Sequence, residues 1–141
     1  MKRYASLVIF VSLMLLQPAL SHSADYTGQW LGTITESVNR CDNLGKGKPG
    51  EYKLTITHKG NNIVAMENTV RRPYTGVFSP ERPKFAHVVG SYVDDGGFVA
   101  ELIDIDFQND SAGSGKSVWR WSNGYYSCGG NFTFTLVKTG P

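Results

Sequence analysis

Hydrophobic and polar residues alternate along much of this chain with a period of two. In residues 52–59, Tyr52, Leu54, Ile56 and His58 alternate with Lys53, Thr55, Thr57 and Lys59. Near the C-terminus, Phe132, Phe134 and Leu136 alternate with Thr133, Thr135 and Val137. Successive side chains of a strand point to opposite faces, so this spacing predicts strands with one buried face. No segment beyond the N-terminal leader carries a long helical period. Turn residues punctuate the runs at Gly60-Asn61-Asn62, Asp94-Asp95-Gly96-Gly97 and Asn123-Gly124. Asn123-Gly124 is expected to form a two-residue type I′ hairpin, because both residues tolerate positive φ. Together the pattern predicts about eight strands, at 27–36, 52–59, 63–70, 74–79, 84–93, 98–107, 117–122 and 125–137. The longest irregular stretches are 39–50 and 71–83, and the second holds Pro73, Pro80 and Pro83.

Consecutive strands joined by hairpins, without crossover helices, predict an all-β fold: a single antiparallel up-and-down barrel, with a β-sandwich as the alternative. The two cysteines bear on the choice. In such a barrel the first and last strands close on each other, so the end of the first lies beside the start of the last. Cys41 falls just beyond the first strand and Cys128 near the start of the last. A disulfide between them would pin the seam where two sheet edges meet. A sandwich could accommodate the same pairing.

The N-terminus sets the compartment. Lys2 and Arg3 precede an apolar run over 5–16, then Pro18 and small residues at Ala19, Ser21, Ser23 and Ala24. This is the layout of a signal peptide over residues 1–24, cleaved between 21 and 24. A membrane anchor would need roughly 20 apolar residues, more than this run supplies. The expected location is secreted or periplasmic, where a disulfide persists, with no stable membrane insertion after cleavage. Removing the leader leaves 25–141 as one domain and also changes the charge. The chain has 14 basic and 12 acidic residues; without Lys2 and Arg3 the balance is 12 against 12. The mature chain is formally neutral and lacks the basic excess expected of a nucleic-acid binder.

The mature segment opens Asp25-Tyr26-Thr27-Gly28-Gln29-Trp30-Leu31-Gly32-Thr33. Gly28-x-Trp30 in a first strand resembles the opening of the calycins, the lipocalin and avidin-like small barrels. That resemblance implies a lumen that binds a ligand, with Gly28 and Trp30 structural and Trp30 plugging one barrel end. The polar set that follows the opening in avidins is not recognisable in 31–35, so biotin is not implied.

Catalytic patterns are weak by comparison. Gly113-Ser114-Gly115-Lys116-Ser117 resembles the end of a phosphate-binding loop, but Asp110 stands where the first glycine belongs and a strand follows in place of a helix. A flexible turn is the simpler reading. Asp104 and Asp106 share a strand face opposite Ile103, Ile105 and Phe107, which marks a solvated face more readily than a carboxylate pair. A calcium site including Asp110 lacks the required loop spacing. His58 and His87 suit structural roles. The expectation is a protein with no enzymatic activity, no metal and no cofactor.

Two surfaces remain as candidate sites. Trp119 and Trp121 share a face, Tyr125 and Tyr126 follow across the hairpin, and Arg120 lies beside them; these could line a cavity mouth for a small apolar or amphipathic ligand. The 71–84 loop carries Arg71, Arg72, Tyr74, Phe78 and Arg82, and could instead contact a partner such as a secreted hydrolase.

Overall fold

Each alternating run forms a strand. The computed structural model describes residues 24–41 and 50–141. Its strands are β1 (Gly28–Asn39), β2 (Glu51–Lys59), β3 (Asn62–Glu67), β4 (Arg72–Phe78), β5 (Phe85–Asp94), β6 (Gly97–Asn109), β7 (Ala112–Ser122) and β8 (Ser127–Gly140). Each pairs antiparallel with the next, and β8 returns to β1, so the sheet closes as an eight-stranded barrel. This rules out the sandwich. The expected signal peptide, Ala24 apart, lies outside the described residues.

The seam explains the disulfide. β2 pairs with only the first half of β1, from Gly28↔Ile56 to Thr33↔Glu51. β8 pairs along nearly all of it, from Gln29↔Gly140 to Asn39↔Gly130, with register shifts at Gln29/Trp30 and Ile34/Glu36. Past Ile34, whose N–H still bonds the Gly50 carbonyl at 2.9 Å, the strand that pairs with β1 among the described residues is β8. Cys41 and Cys128 join at that end, with Cα atoms 5.0 Å apart, beside the Arg40 N–H bond to the Gly129 carbonyl at 3.0 Å.

Two sequence expectations about turns are corrected. The two-residue loop with positive φ at both positions is Asp95-Gly96 (φ 46° and 70°), the geometry of a type I′ turn. Asn123-Gly124 instead belongs to a four-residue loop between paired Ser122 and Ser127. There the Asn123 Oδ1 accepts the N–H groups of Tyr125 and Tyr126 at 3.1 and 2.9 Å, an Asx turn that fixes the longer connection. Gly113-Ser114-Gly115 is no flexible turn but the start of β7. Its glycines make room for the neighbouring strand: a Cβ at Gly115 would stand 2.5 Å from the Phe134 ring.

The barrel interior is filled at one end. Tyr26, just before β1, stacks on Phe107 with ring centroids 3.9 Å apart, and also lies against Phe78 and His58. Trp30 packs edge-on against Phe107, is 1% exposed, and donates its indole N–H to the Tyr26 carbonyl at 2.9 Å. This is the plug expected of Trp30. Ile56, Ile63, Ala65, Ala86, Val88, Ile105 and Leu136 continue the packed core above it. Each fully buried large apolar side chain contributes about 1.5–3 kcal/mol, so the closed end anchors the fold. Outward positions carry charges, including Lys53, Lys59 and Lys116, among a band of exposed apolar residues at Val89, Leu102 and Val118.

Candidate functional site

At the opposite end, by the disulfide, the lumen opens into a cavity of about 570 Å³. Seven strands contribute to its wall: Ile34 on β1, Tyr52 on β2, Arg72 and Tyr74 on β4, Tyr92 on β5, Val99 and Glu101 on β6, Trp119 and Trp121 on β7, Phe132 on β8. Below it, among Tyr74, Glu101, Phe132 and apolar core residues, is a second space of about 40 Å³. The larger volume lies within the range of small-molecule sites.

Glycines on neighbouring strands seat the rings. Gly90 faces Tyr74 across β4 and β5, and a Cβ there would come within 2.4 Å of the tyrosine ring. Gly130 faces Trp119 across β7 and β8, with the corresponding approach 2.7 Å. Trp121 lies over Gly97 and donates its indole N–H to the Asp94 carbonyl at 2.8 Å. The rings are thus positioned by close backbone approach, which any larger residue at those glycines would deny them.

The polar centre is Glu101, 6% exposed. Its Oε1 accepts the Ser117 hydroxyl at 2.5 Å, and its Oε2 accepts those of Tyr74 at 2.9 Å and Tyr92 at 3.2 Å. Burial, and then the Glu101 charge, pushes the pKa of both tyrosines well above the ordinary phenol value. The same two causes, in that order, raise Tyr52 to about 12. All three phenols therefore keep their protons near neutral pH. Arg72 lays its guanidinium 3.8 Å over the Tyr92 ring and pairs with Asp94 at 3.3 Å. That half-exposed pair adds little stability, but Arg72 covers the Tyr92 ring face while Glu101 holds its hydroxyl. Glu67 forms a separate polar anchor. Burial disfavours its charge, yet the backbone N–H groups of Val70 and Thr69, at 2.8 and 2.9 Å, hold its pKa below the ordinary carboxylate value.

The structure redistributes the residues singled out from sequence. Trp119 and Trp121 line the cavity, and Tyr126 stands at its mouth. Tyr125 is fully exposed, and Arg120 faces outward because it is out of phase with the two tryptophans; neither lines the lumen. Half of the 71–84 stretch is strand β4, so Tyr74 and Phe78 are buried and not exposed contacts. Arg72 lines the lumen, whereas Arg71 sits exposed in the β3–β4 turn at φ 57°. Arg82 lies outside, paired with Asp106 at 2.9 Å. Asp104 is also on the outer wall, between His87 at 2.7 Å and Lys116 at 3.6 Å. No cluster of metal-ligating side chains occurs among the described residues.

Glu101, Tyr92, Tyr52 and Ser117 were missed from sequence. Glu101 had a usable signal: it is in phase with Val99, Ile103, Ile105 and Phe107, the apolar face of its own strand. A carboxylate at a core position of a strand is worth asking about. Comparison with protein-family models and with curated proteins finds no match for this chain. The closed eight-stranded barrel with a buried Trp30 is compatible with the calycin resemblance, and no specific family is matched.

Proposed function

We propose that this chain is a non-enzymatic binding protein that works outside the cytoplasm and holds a small amphipathic ligand in its barrel lumen. The observation that carries this reading is the asymmetry of the lumen: one end is packed solid, the other is a cavity of about 570 Å³ walled by aromatic rings around a few polar groups. Aromatic walls supply contact area, and a few converging polar groups orient the guest. The disulfide fits an oxidising compartment. Charged outward positions such as Lys53 and Lys116 interrupt the exposed apolar band of Val89, Leu102 and Val118, which suits a barrel wall facing water. Contact with a protein partner through 71–84 has less support, because Tyr74 and Phe78, its two aromatic anchors, are committed to the interior.

The test is direct. Native mass spectrometry of protein purified from its own medium or periplasm should show a retained small molecule. Titration with the neutral fluorescent dye N-phenylnaphthylamine should be saturable at one dye per chain and should quench tryptophan emission. Absence of both a retained molecule and saturable dye binding would refute the proposal.

A further inference from the structure

Among the described residues, the carboxylate at the open end of the lumen has no cationic partner. Glu101 is more than nine-tenths buried, and its three hydrogen-bond donors are neutral hydroxyls. Among the described residues no Lys, Arg or His forms an ion pair with it. Arg72, the one cation among the described lining residues, is drawn instead to Asp94 and to the Tyr92 ring. Against that single positive charge stand Asp94, Asp95 and Glu101, so the described lining is acidic, with three carboxylates to one guanidinium. A carboxylate buried without a counter-ion is costly, and a recessed cavity focuses its field on whatever enters.

The walls favour the same kind of guest. Faces of Trp and Tyr attract cations electrostatically, and Tyr92 already accepts the Arg72 guanidinium on its face at 3.8 Å. We infer that the lumen takes a small organic cation, a protonated amine on an aromatic or alkyl body. The ammonium group is directed toward Glu101 and the body lies against Trp119 and Trp121. An anion would meet the Glu101 carboxylate, while a neutral sugar could bond the phenols but would leave the charge unbalanced. This inference rests on the lumenal binding proposed above and specifies its ligand class.

The experiment displaces N-phenylnaphthylamine from the full mature chain with three probes of similar shape: phenethylamine, phenethyl alcohol and phenylacetate. The amine is expected to bind about 10- to 100-fold tighter than the alcohol, the range of one charge-assisted contact, and phenylacetate is expected to bind weakest. In Glu101→Gln the amine and the alcohol should bind alike. If that variant does not fold, the probe series on the parent protein decides alone. Dye binding with no preference for the amine would overturn the cation inference and leave the lumenal reading standing. Failure of the dye and of all three probes would overturn the lumenal reading, and the inference with it.

Discussion

Replacing Gly90 by Ala adds a single methyl group, yet it should disturb both the fold and the site. Gly90 lies directly across from Tyr74 on the adjacent strand, and the new Cβ would fall 2.4 and 2.5 Å from two ring carbons. The obstacle is no flexible side-chain tip. Tyr74 is 7% exposed and its hydroxyl is bound to Glu101 at 2.9 Å, so the ring cannot swing outward without losing that bond. Overpacking of this kind costs about 1–3 kcal/mol. Loss of a hydrogen bond to a charged group adds about 1.5–3 kcal/mol, and reduced freedom of the unfolded chain returns about 0.4–1 kcal/mol. The net expectation is a loss of roughly 2–5 kcal/mol from these contributions, read as a lowered urea midpoint at unchanged slope. A control isolates the cause. In a Tyr74→Ala background the ring is gone, and because Gly90 has no positive φ the same Gly90→Ala change should become neutral or slightly stabilising. Equal destabilisation in both backgrounds, or none in the parent, would refute the argument that Gly90 exists to seat Tyr74.

Three further outcomes are expected. Cys41→Ala/Cys128→Ala should lose roughly 4–5 kcal/mol in urea, because the bridge closes a long loop in the unfolded chain across a sequence separation of 87; stability equal to the parent would refute the role of the seam bridge. Glu67 has a folded pKa depressed below its ordinary 4.5, so its contribution is complete above that value and is lost as pH falls through the lower folded pKa. The stability difference between the parent and Glu67→Gln, of order 1–3 kcal/mol from the charge-assisted hydrogen bonds that a neutral amide weakens, should therefore shrink on acidification from about pH 6 to about pH 3, and a constant difference would contradict the assignment. Tyr26 buries its hydroxyl with no hydrogen-bond partner among the described residues, so Tyr26→Phe should raise the thermal midpoint, by an amount equivalent to roughly 1–3 kcal/mol; a lowered midpoint would mean the hydroxyl is satisfied.

How much of this was legible beforehand differs from feature to feature. Period-two alternation depends only on neighbours along the chain, so the eight strands and the pairing of Cys41 with Cys128 could be read without coordinates, whereas the choice of barrel over sandwich needed the pairing of β8 with β1. The turn at Asn123-Gly124 was misread because dipeptide preference ignores a competing side chain: Asn123 caps the backbone of Tyr125 and Tyr126 and so favours a longer loop. Gly113 and Gly115 were misread because a glycine that signals a turn and one that yields space to a facing ring look alike in sequence.

The sequence by itself determined an antiparallel all-β fold of about eight strands with one bridge and left barrel and sandwich both open, because strand periodicity records which face is buried and not which strand lies alongside. The pairing of β8 with β1 decided for the barrel. Only the tertiary structure decided which inward positions are filled and which are open. Trp30 and Trp119 both point inward, yet Trp30 meets Tyr26 and Phe107 and is sealed, while Trp119 lies on Gly130 beside a cavity. The difference is the height of each residue around a closed cylinder, set by the register of eight strands together. Height also brings Glu101 among Tyr74, Tyr92 and Ser117, residues 27, 9 and 16 positions away. No local pattern records that convergence, because it arises only when the barrel closes.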